Sequence, residues 1–332
     1  MSDATQRDVP QTPAMSVVVI TPDRYDTIRD VMRALAAQSA KQELEIVIVA
    51  PSAPLVPADA PEVRDFMAIS VLPFAHVARA AAAARAAAIH AARAPIVAFV
   101  EDHSFPQPGW ARALIEAHRK PYAAVGPAVG NANPGSTIGW ANLLIEYAPW
   151  MEPACARAVD HLPGHNSSYK RAVLLPYGQE LESLLEAESI LHWELRSRGL
   201  QLWLEPAALT LHMNFTSLAA STRLRLHGGR LFAGARARQW SRARRLAYAA
   251  AAPLIPVVRL RRILADTRAA RRNSALPHLT YPALLFLLLC DAAGEFMGYV
   301  SGAGAEAQRA ATFEINADRR PTPTKQCDPA GR

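Results

Sequence analysis

Short β-branched runs alternate with helix-spaced segments along the first two-thirds of the chain. Ser16-Val17-Val18-Val19-Ile20 and Glu45-Ile46-Val47-Ile48-Val49 are apolar runs of strand length, and Ile96-Val97-Ala98-Phe99-Val100 is a third. Such runs suit parallel strands buried on both faces. Ser70-Val71-Leu72 and Ala123-Ala124-Val125 read as shorter strands. Between them, Ile28, Val31, Met32 and Leu35 recur at helical spacing within residues 25–39, and residues 76–93 form an Ala-rich helical stretch carrying Arg79 and Arg85. Residues 110–120 and 181–198 read as helices, and residues 201–204 as a short strand. This order predicts an α/β fold with a mostly parallel sheet and helices on both faces. Ligands bind such sheets beyond the carboxyl ends of the strands, which directs attention to loops 21–26, 50–56 and 101–108. Residues 131–165, rich in Asn, Gly and Pro, are expected to line the site.

From about residue 222 the pattern changes. Residues 222–245 are dominated by arginine, residues 246–258 are apolar but interrupted by Pro253 and Pro256, and Arg259, Arg261 and Arg262 follow. Residues 281–300 are apolar apart from Asp291 and Glu295. The expected division is a disordered N-terminus over 1–14, a catalytic α/β domain over 15–215, a basic and apolar helical appendage over 216–304, and a disordered tail over 305–332.

Charge sharpens that division. The 332 residues carry a net +7, yet residues 222–272 hold 14 Arg against one acid, Asp266, so this stretch alone is +13 and the remainder is −6. A globally basic protein suggests nucleic acid. Here only Phe232 and Trp240 interleave the arginines of 223–245 and no nucleic-acid module is visible, so nucleic acid is not expected as a partner. Apolar 246–258 is too short to span a bilayer, which takes about 20 residues. An interfacial seat with arginines at anionic headgroups is the expectation, weighed against a helical subdomain with its arginines in water. Cys155, Cys290 and Cys327 are far apart with no paired spacing, which fits a reducing compartment. Residues 1–14 lack the apolar core of a signal peptide. The expected location is the cytoplasm, at the inner face of a membrane.

The densest chemistry is Glu101-Asp102-His103-Ser104-Phe105-Pro106, directly after a buried strand. Carboxylates there need a cationic partner. A divalent metal on a diphosphate is one; a helix N-cap or a salt bridge near residues 106–110 is the plainer alternative.

Five segments together resemble family 2 glycosyltransferases of the inverting GT-A type. They are Val17–Pro22 running to Gln38; the strand from Glu45; Glu101–Pro106 with Gly109-Trp110; Gly164-His165-Asn166 through Lys170-Arg171; and Ala187-Glu188 through Arg198-Gly199, Glu205-Pro206 and His212. The resemblance spans about residues 16–215. It implies a GT-A-like sheet and transfer of a sugar, with inversion, from a nucleotide-sugar donor to an acceptor hydroxyl, for cell-surface glycan or glycolipid synthesis. The acceptor would be a glycan or a lipid-linked molecule. It further implies Glu188 as general base and Asp102, His103 and His212 as ligands of Mn or Mg. Thr21, Pro22, Asp23, Ser52, Glu101, Asp102 and Asn166 would contact the donor.

The chain also departs from the family pattern. Ala50-Pro51-Ser52-Ala53 lacks the acid that contacts the nucleobase, His103 stands where a third Asp is usual, and Ala187-Glu188 keeps one carboxylate of a pair. A binding or scaffold protein of degenerate catalytic power is the alternative. A plain helical role for Glu188, pairing with His192 one turn on, is the corresponding reading at residue level. A nucleotidyltransferase is disfavoured because Thr21-Pro22-Asp23-Arg24 has no glycines.

Overall fold

The computed structural model describes residues 12–21, 24–52, 57, 60–75, 77, 80–270 and 276–304. Both chain ends expected to be disordered lie outside these residues, apart from 12–14. The described chain divides into two compact units. One comprises residues up to Val129 together with Glu152–Thr210, and the other comprises Gly130–Met151 and the residues from Leu211 onward.

The first unit is organised by a sheet. Its strands are β1 (Met15–Ile20), β2 (Leu44–Ala50), β3 (Ala68–Pro73), β4 (Ile96–Val100), β5 (Ser104–Pro106), β6 (Ala124–Asn131), β7 (Arg157–Val159), β8 (Ser168–Lys170) and β9 (Leu202–His212). The order across the sheet is β3-β2-β1-β4-β8-β6-β9-β5, with β7 pairing β9. The first four are parallel: Val17 faces Ile46 on one side and Ala98 on the other, and Ile46 faces Ile69. From β4 onward the direction alternates, with β4–β8, β6–β8 and β7–β9 antiparallel. The sheet is therefore mixed rather than mostly parallel. The extra strands are too short to declare themselves: β5, β7 and β8 have three residues each, below the length at which an alternating pattern can be read.

Alternation along β1 feeds two cores. Val17 and Val19 join Ile28, Met32 and Leu35 of helix α1 (Tyr25–Ala36) and Leu114 of helix α3 (Trp110–Ala117). Val18 joins Ile89 of helix α2 (Ala81–Ala91) and Tyr169 of β8 on the opposite face. Two-sided burial is what the unbroken apolar runs require. The foot of the sheet is pinned by Glu45, which is 2% exposed. Its carboxylate accepts from Ser16 Oγ at 2.5 Å, from Arg93 Nε at 2.6 Å and from the Arg93 backbone N–H at 2.8 Å.

The helix expected over 181–198 is broken. After α4 (Thr137–Tyr147) and the single turn α5 (Arg171–Leu174) come α6 (Glu180–Leu185) and α7 (Glu188–Ser197). Between them Ala187 is extended, at φ −146° and ψ 97°. No proline or glycine marks the break, so helical spacing runs through it.

The second unit contains α4 and four later helices: α8 (Leu218–Arg236), α9 (Arg242–Ala251), α10 (Ile255–Ala269) and α11 (Thr280–Ser301). Apolar 246–258 forms the end of α9, the start of α10 and the elbow between them, where Ala252–Leu254 makes one 3-10 turn. Pro253 and Pro256 each sit in a first helical turn, where proline's missing N–H is not needed.

Candidate active site

Strand β4 ends at Val100, and the three residues after it carry the chemistry. His103 is buried, and its Nδ1 lies 2.6 Å from Asp102 Oδ1. Its Nε2 lies 3.7 Å from Glu101 Oε2. Glu101 is held from the facing 3-10 turn, Gly164–Asn166, where Asn166 Nδ2 donates to Glu101 Oε2 at 2.6 Å. The Glu101 backbone N–H in turn donates to Asn166 Oδ1 at 3.4 Å. A buried amide thus fixes the rotamer of one carboxylate of the acidic cluster.

The break before α7 has its consequence here. It makes Glu188 the first residue of a helix, with its carboxylate next to unsatisfied backbone N–H groups. Glu188 is buried, and two cations from other elements meet it. Arg85 Nη1 of α2 lies 3.4 Å from Oε1, and His165 Nδ1 of the 3-10 turn pairs with the same oxygen. Burial alone would push the carboxyl pKa up. The His165 and Arg85 charges and the helix backbone outweigh it and hold Glu188 below the usual carboxylate range. For His165, burial and Arg85 favour the neutral ring, but Glu188 and Glu101 prevail and the pKa is raised.

His192 does not pair with Glu188 one turn away. Its Nε2 lies 2.8 Å from the Tyr169 hydroxyl oxygen, and burial lowers its pKa to about 4, so it is neutral. Arg85 and His165 were not singled out as partners of Glu188 in the sequence. The available signal for Arg85 was that it is the one charged side chain in an otherwise apolar face of Ala-rich α2. No local signal joins three residues separated by 80 and 23 positions.

Other expected site residues are placed as follows. Thr21, just past β1, is buried; its backbone N–H donates to Val49 O at 2.9 Å and its hydroxyl to Arg24 O at 2.7 Å. Ser52 follows β2 and is exposed. Pro22 and Asp23 lie outside the described residues. His212 is the last residue of β9, buried, with Nδ1 2.9 Å from Asn214 Oδ1. Within the first unit, Glu101 and His103 offer a carboxylate oxygen and an imidazole nitrogen side by side, while His212 belongs to the second unit. Asp102, which the family resemblance pointed to as a ligand, has its Oδ1 directed at His103 Nδ1.

Residues 16–176 match the sequence model of glycosyl transferase family 2. This segment belongs to that family. The glycosyltransferase domain is thus built on the sheet that carries the acidic cluster, Asn166 and the Gly164 turn. No curated protein matches the chain. Among solved structures, the mannosyltransferase PcManGT from Pyrobaculum calidifontis, in complex with GDP-Man and Mn2+, superposes with a TM-score of 0.50 at 16% identity, covering 86% of this chain and 88% of that one. It supports the GT-A architecture of an α/β sheet flanked by helices. GalNAc-T7 with UDP, GalNAc and Mn2+ matches at a TM-score of 0.44 and 12% identity, and S. aureus TarS at 0.44 and 16%. This chain covers 60% and 85% of its own length in those matches, but spans only 43% of the first protein and 54% of the second.

Proposed function

We propose that the protein transfers a sugar from a nucleotide-sugar donor to an acceptor hydroxyl with inversion, using Glu188 as general base. The carrying observation is the Glu188 pocket. A carboxylate kept anionic by Arg85, His165 and a helix N-terminus is present as a proton acceptor at every physiological pH. The general-base role at Glu188 is what the resemblance of Ala187-Glu188 to the family's late acidic pair implies, and the match of residues 16–176 to the family supports the reaction class.

A divalent cation fits the residues after β4. A carboxylate and an imidazole side by side are a mixed O/N donor set, which suits manganese better than magnesium. In this reading Glu101 and His103 hold the cation, with His212 as the further ligand that the family resemblance implies. Asp102, hydrogen-bonded to His103 Nδ1, sets the tautomer that leaves Nε2 as ligand. Bound there, the cation neutralises charge on the departing diphosphate. Asn166 keeps Glu101 aimed while remaining beside the donor, and Thr21 closes the end of β1 where a nucleotide would lie. Pro22, Asp23 and Ser52 belong to the same donor-facing loops by their place in the chain. The acceptor in this reading is a glycan or lipid-linked molecule at a cell surface, reached by a peripheral seat of residues 222–272 on an anionic inner membrane face.

The test begins with a thermal-shift screen of GDP-mannose, UDP-N-acetylgalactosamine and other nucleotide sugars, with and without manganese. A donor at a hundredfold excess over Kd should stabilise by about 2.7 kcal/mol. The variant E188Q should bind that donor as the native protein does, yet lose donor turnover by two orders of magnitude or more, in line with the roughly 10²–10⁴-fold typical of a general base. Full turnover in E188Q removes the base assignment. Donor binding without turnover in the native protein points to the scaffold alternative.

A further inference from the structure

Helix α11 is apolar on both sides. Its buried face carries Leu284, Leu287, Leu288 and Tyr299 together with its two acids, Asp291 and Glu295, while its outward face carries Leu285, Phe286, Leu289, Phe296, Met297 and Val300, each 37–53% exposed. With exposed Pro282 and Ala293 these positions form one unbroken apolar stripe at helical spacing. The stripe runs about 27 Å along the helix at 1.5 Å per residue. A helix packed on a water-soluble domain turns polar residues outward instead.

The inward charges are matched within the same unit. Asp291 pairs with Arg259 of α10, and Glu295 accepts from the Tyr299 hydroxyl at 3.2 Å. Arg225 of α8 binds Asn142 Oδ1 at 3.0 Å and pairs with Glu146, both on α4. The contact between α8 and α11 is made through glycine. A Cβ on Gly294 would stand 2.3 Å from Leu226 O, and one on Gly298 would stand 2.4 Å from Arg230 O. Polar groups turned inward, apolar groups turned outward and glycines at a backbone-close helix contact are the features of helices solvated by lipid.

From this we infer that the outward stripe of α11 is the part of the protein that lies in the hydrocarbon of an anionic bilayer, parallel to its surface. The inference rests on the peripheral membrane seat proposed above and relocates its apolar part. Arginine-rich α9 and α10 then supply the headgroup contacts, through exposed Arg242, Arg244, Arg261, Arg262 and Arg268. Exposed Leu246, Leu254, Val257 and Val258 mark the α9–α10 elbow as a second apolar point of entry. Charge selects this occupant over a second copy of the chain, because two copies of a +13 segment repel while an anionic surface attracts. α11 has the length and composition to cross a bilayer. The two acids on its inward face and its packing on arginine-bearing α8 assign it a one-sided seat instead.

Co-sedimentation of the full chain with vesicles of phosphatidylcholine containing about a third phosphatidylglycerol tests this, with pure phosphatidylcholine vesicles as the second arm. The triple variant L285S/L289S/F296S changes exposed side chains only, and its melting temperature serves as the control for folding. It should lose at least about tenfold in vesicle affinity. The variant R242S/R244S should lose the preference for anionic vesicles while a tryptophan placed by F286W is still quenched by lipids brominated at mid-chain. Unchanged affinity in the triple variant overturns the stripe while leaving a membrane seat through 222–272 standing. Failure of the native chain to bind either vesicle overturns both. A concentration-dependent dimer that the triple variant abolishes, with no vesicle binding, assigns the stripe to a second copy and overturns the inference. Protection of segments on both sides of α11 from protease added outside and inside the vesicles, in the pattern of a span, overturns the one-sided seat.

Discussion

Glu188 is charged because three separate elements meet it: the first turn of α7, Arg85 from α2 and His165 from the turn before β8. Removing one of them should be read in the pH profile. R85Q takes away a cation that lowers the Glu188 pKa, so the acid limb of donor turnover should move to higher pH, while the alkaline side is unchanged. An unshifted limb would mean that Arg85 does not sense this carboxylate. Glu45 shows the same physics used for structure. Burial opposes its charge, but Ser16 and Arg93 lower its pKa below the usual value. Its folded-state pKa therefore lies below the unfolded one. The stabilisation is complete above the unfolded pKa and is lost as pH falls through the folded pKa. The variant E45Q leaves Arg93 without its charged acceptor and should cost about 1–3 kcal/mol at neutral pH, measured by urea denaturation, with the difference shrinking in acid.

At the scale of elements, short breaks and close contacts decide more than propensity. The extended Ala187 ends α6 and starts α7, and in doing so it turns an interior helical carboxylate into an N-terminal one. No residue type there enforces the break; packing of Leu185 and Leu191 into one core on either side of it does. In the second unit the glycines of α11 set the distance to α8. A valine at position 294 places its Cβ in the Leu226 carbonyl, and the two helices must separate. G294V should destabilise by about 2 kcal/mol or more, seen as a lowered melting temperature. G228A, on α8 with open space around its Cβ, should by contrast be neutral or slightly stabilising.

For the molecule as a whole, acid sensitivity follows from its buried histidines. Burial lowers the pKa of His118 to about 3, with Ser168 Oγ 2.9 Å from its Nε2, and that of His192 to about 4. Both rings are neutral in the folded state and free to take a proton once unfolded. Between an unfolded value near 6.5 and these folded values the unfolded chain binds more protons. The loss of stability through these two rings should therefore be absent above about pH 6.5 and grow as pH falls toward 3. A melting curve series from pH 8 to pH 4 checks this. The variant H118Q, which keeps a hydrogen-bond donor but cannot titrate, should flatten part of the decline.

The strands β1, β2 and β4, the helix α1 and the acidic cluster after β4 were legible because each is a local pattern of strong periodicity or composition, and the order of motifs was enough to indicate the glycosyltransferase family. Splitting the charge along the chain likewise separated a basic segment from a mildly acidic body. Local patterning could not supply the antiparallel half of the sheet, because three-residue strands carry no period and their pairing is set by partners distant in sequence. It could not bring Arg85 and His165 to Glu188, since hydrogen bonding across such separations exists only once the chain is folded. Nor could it tell which side of an apolar helix faces outward. Asp291 and Glu295 counted against lipid contact when α11 was a string of letters. Only the tertiary structure, by turning them inward onto Arg259 and Tyr299, left the outer face apolar from Pro282 to Val300.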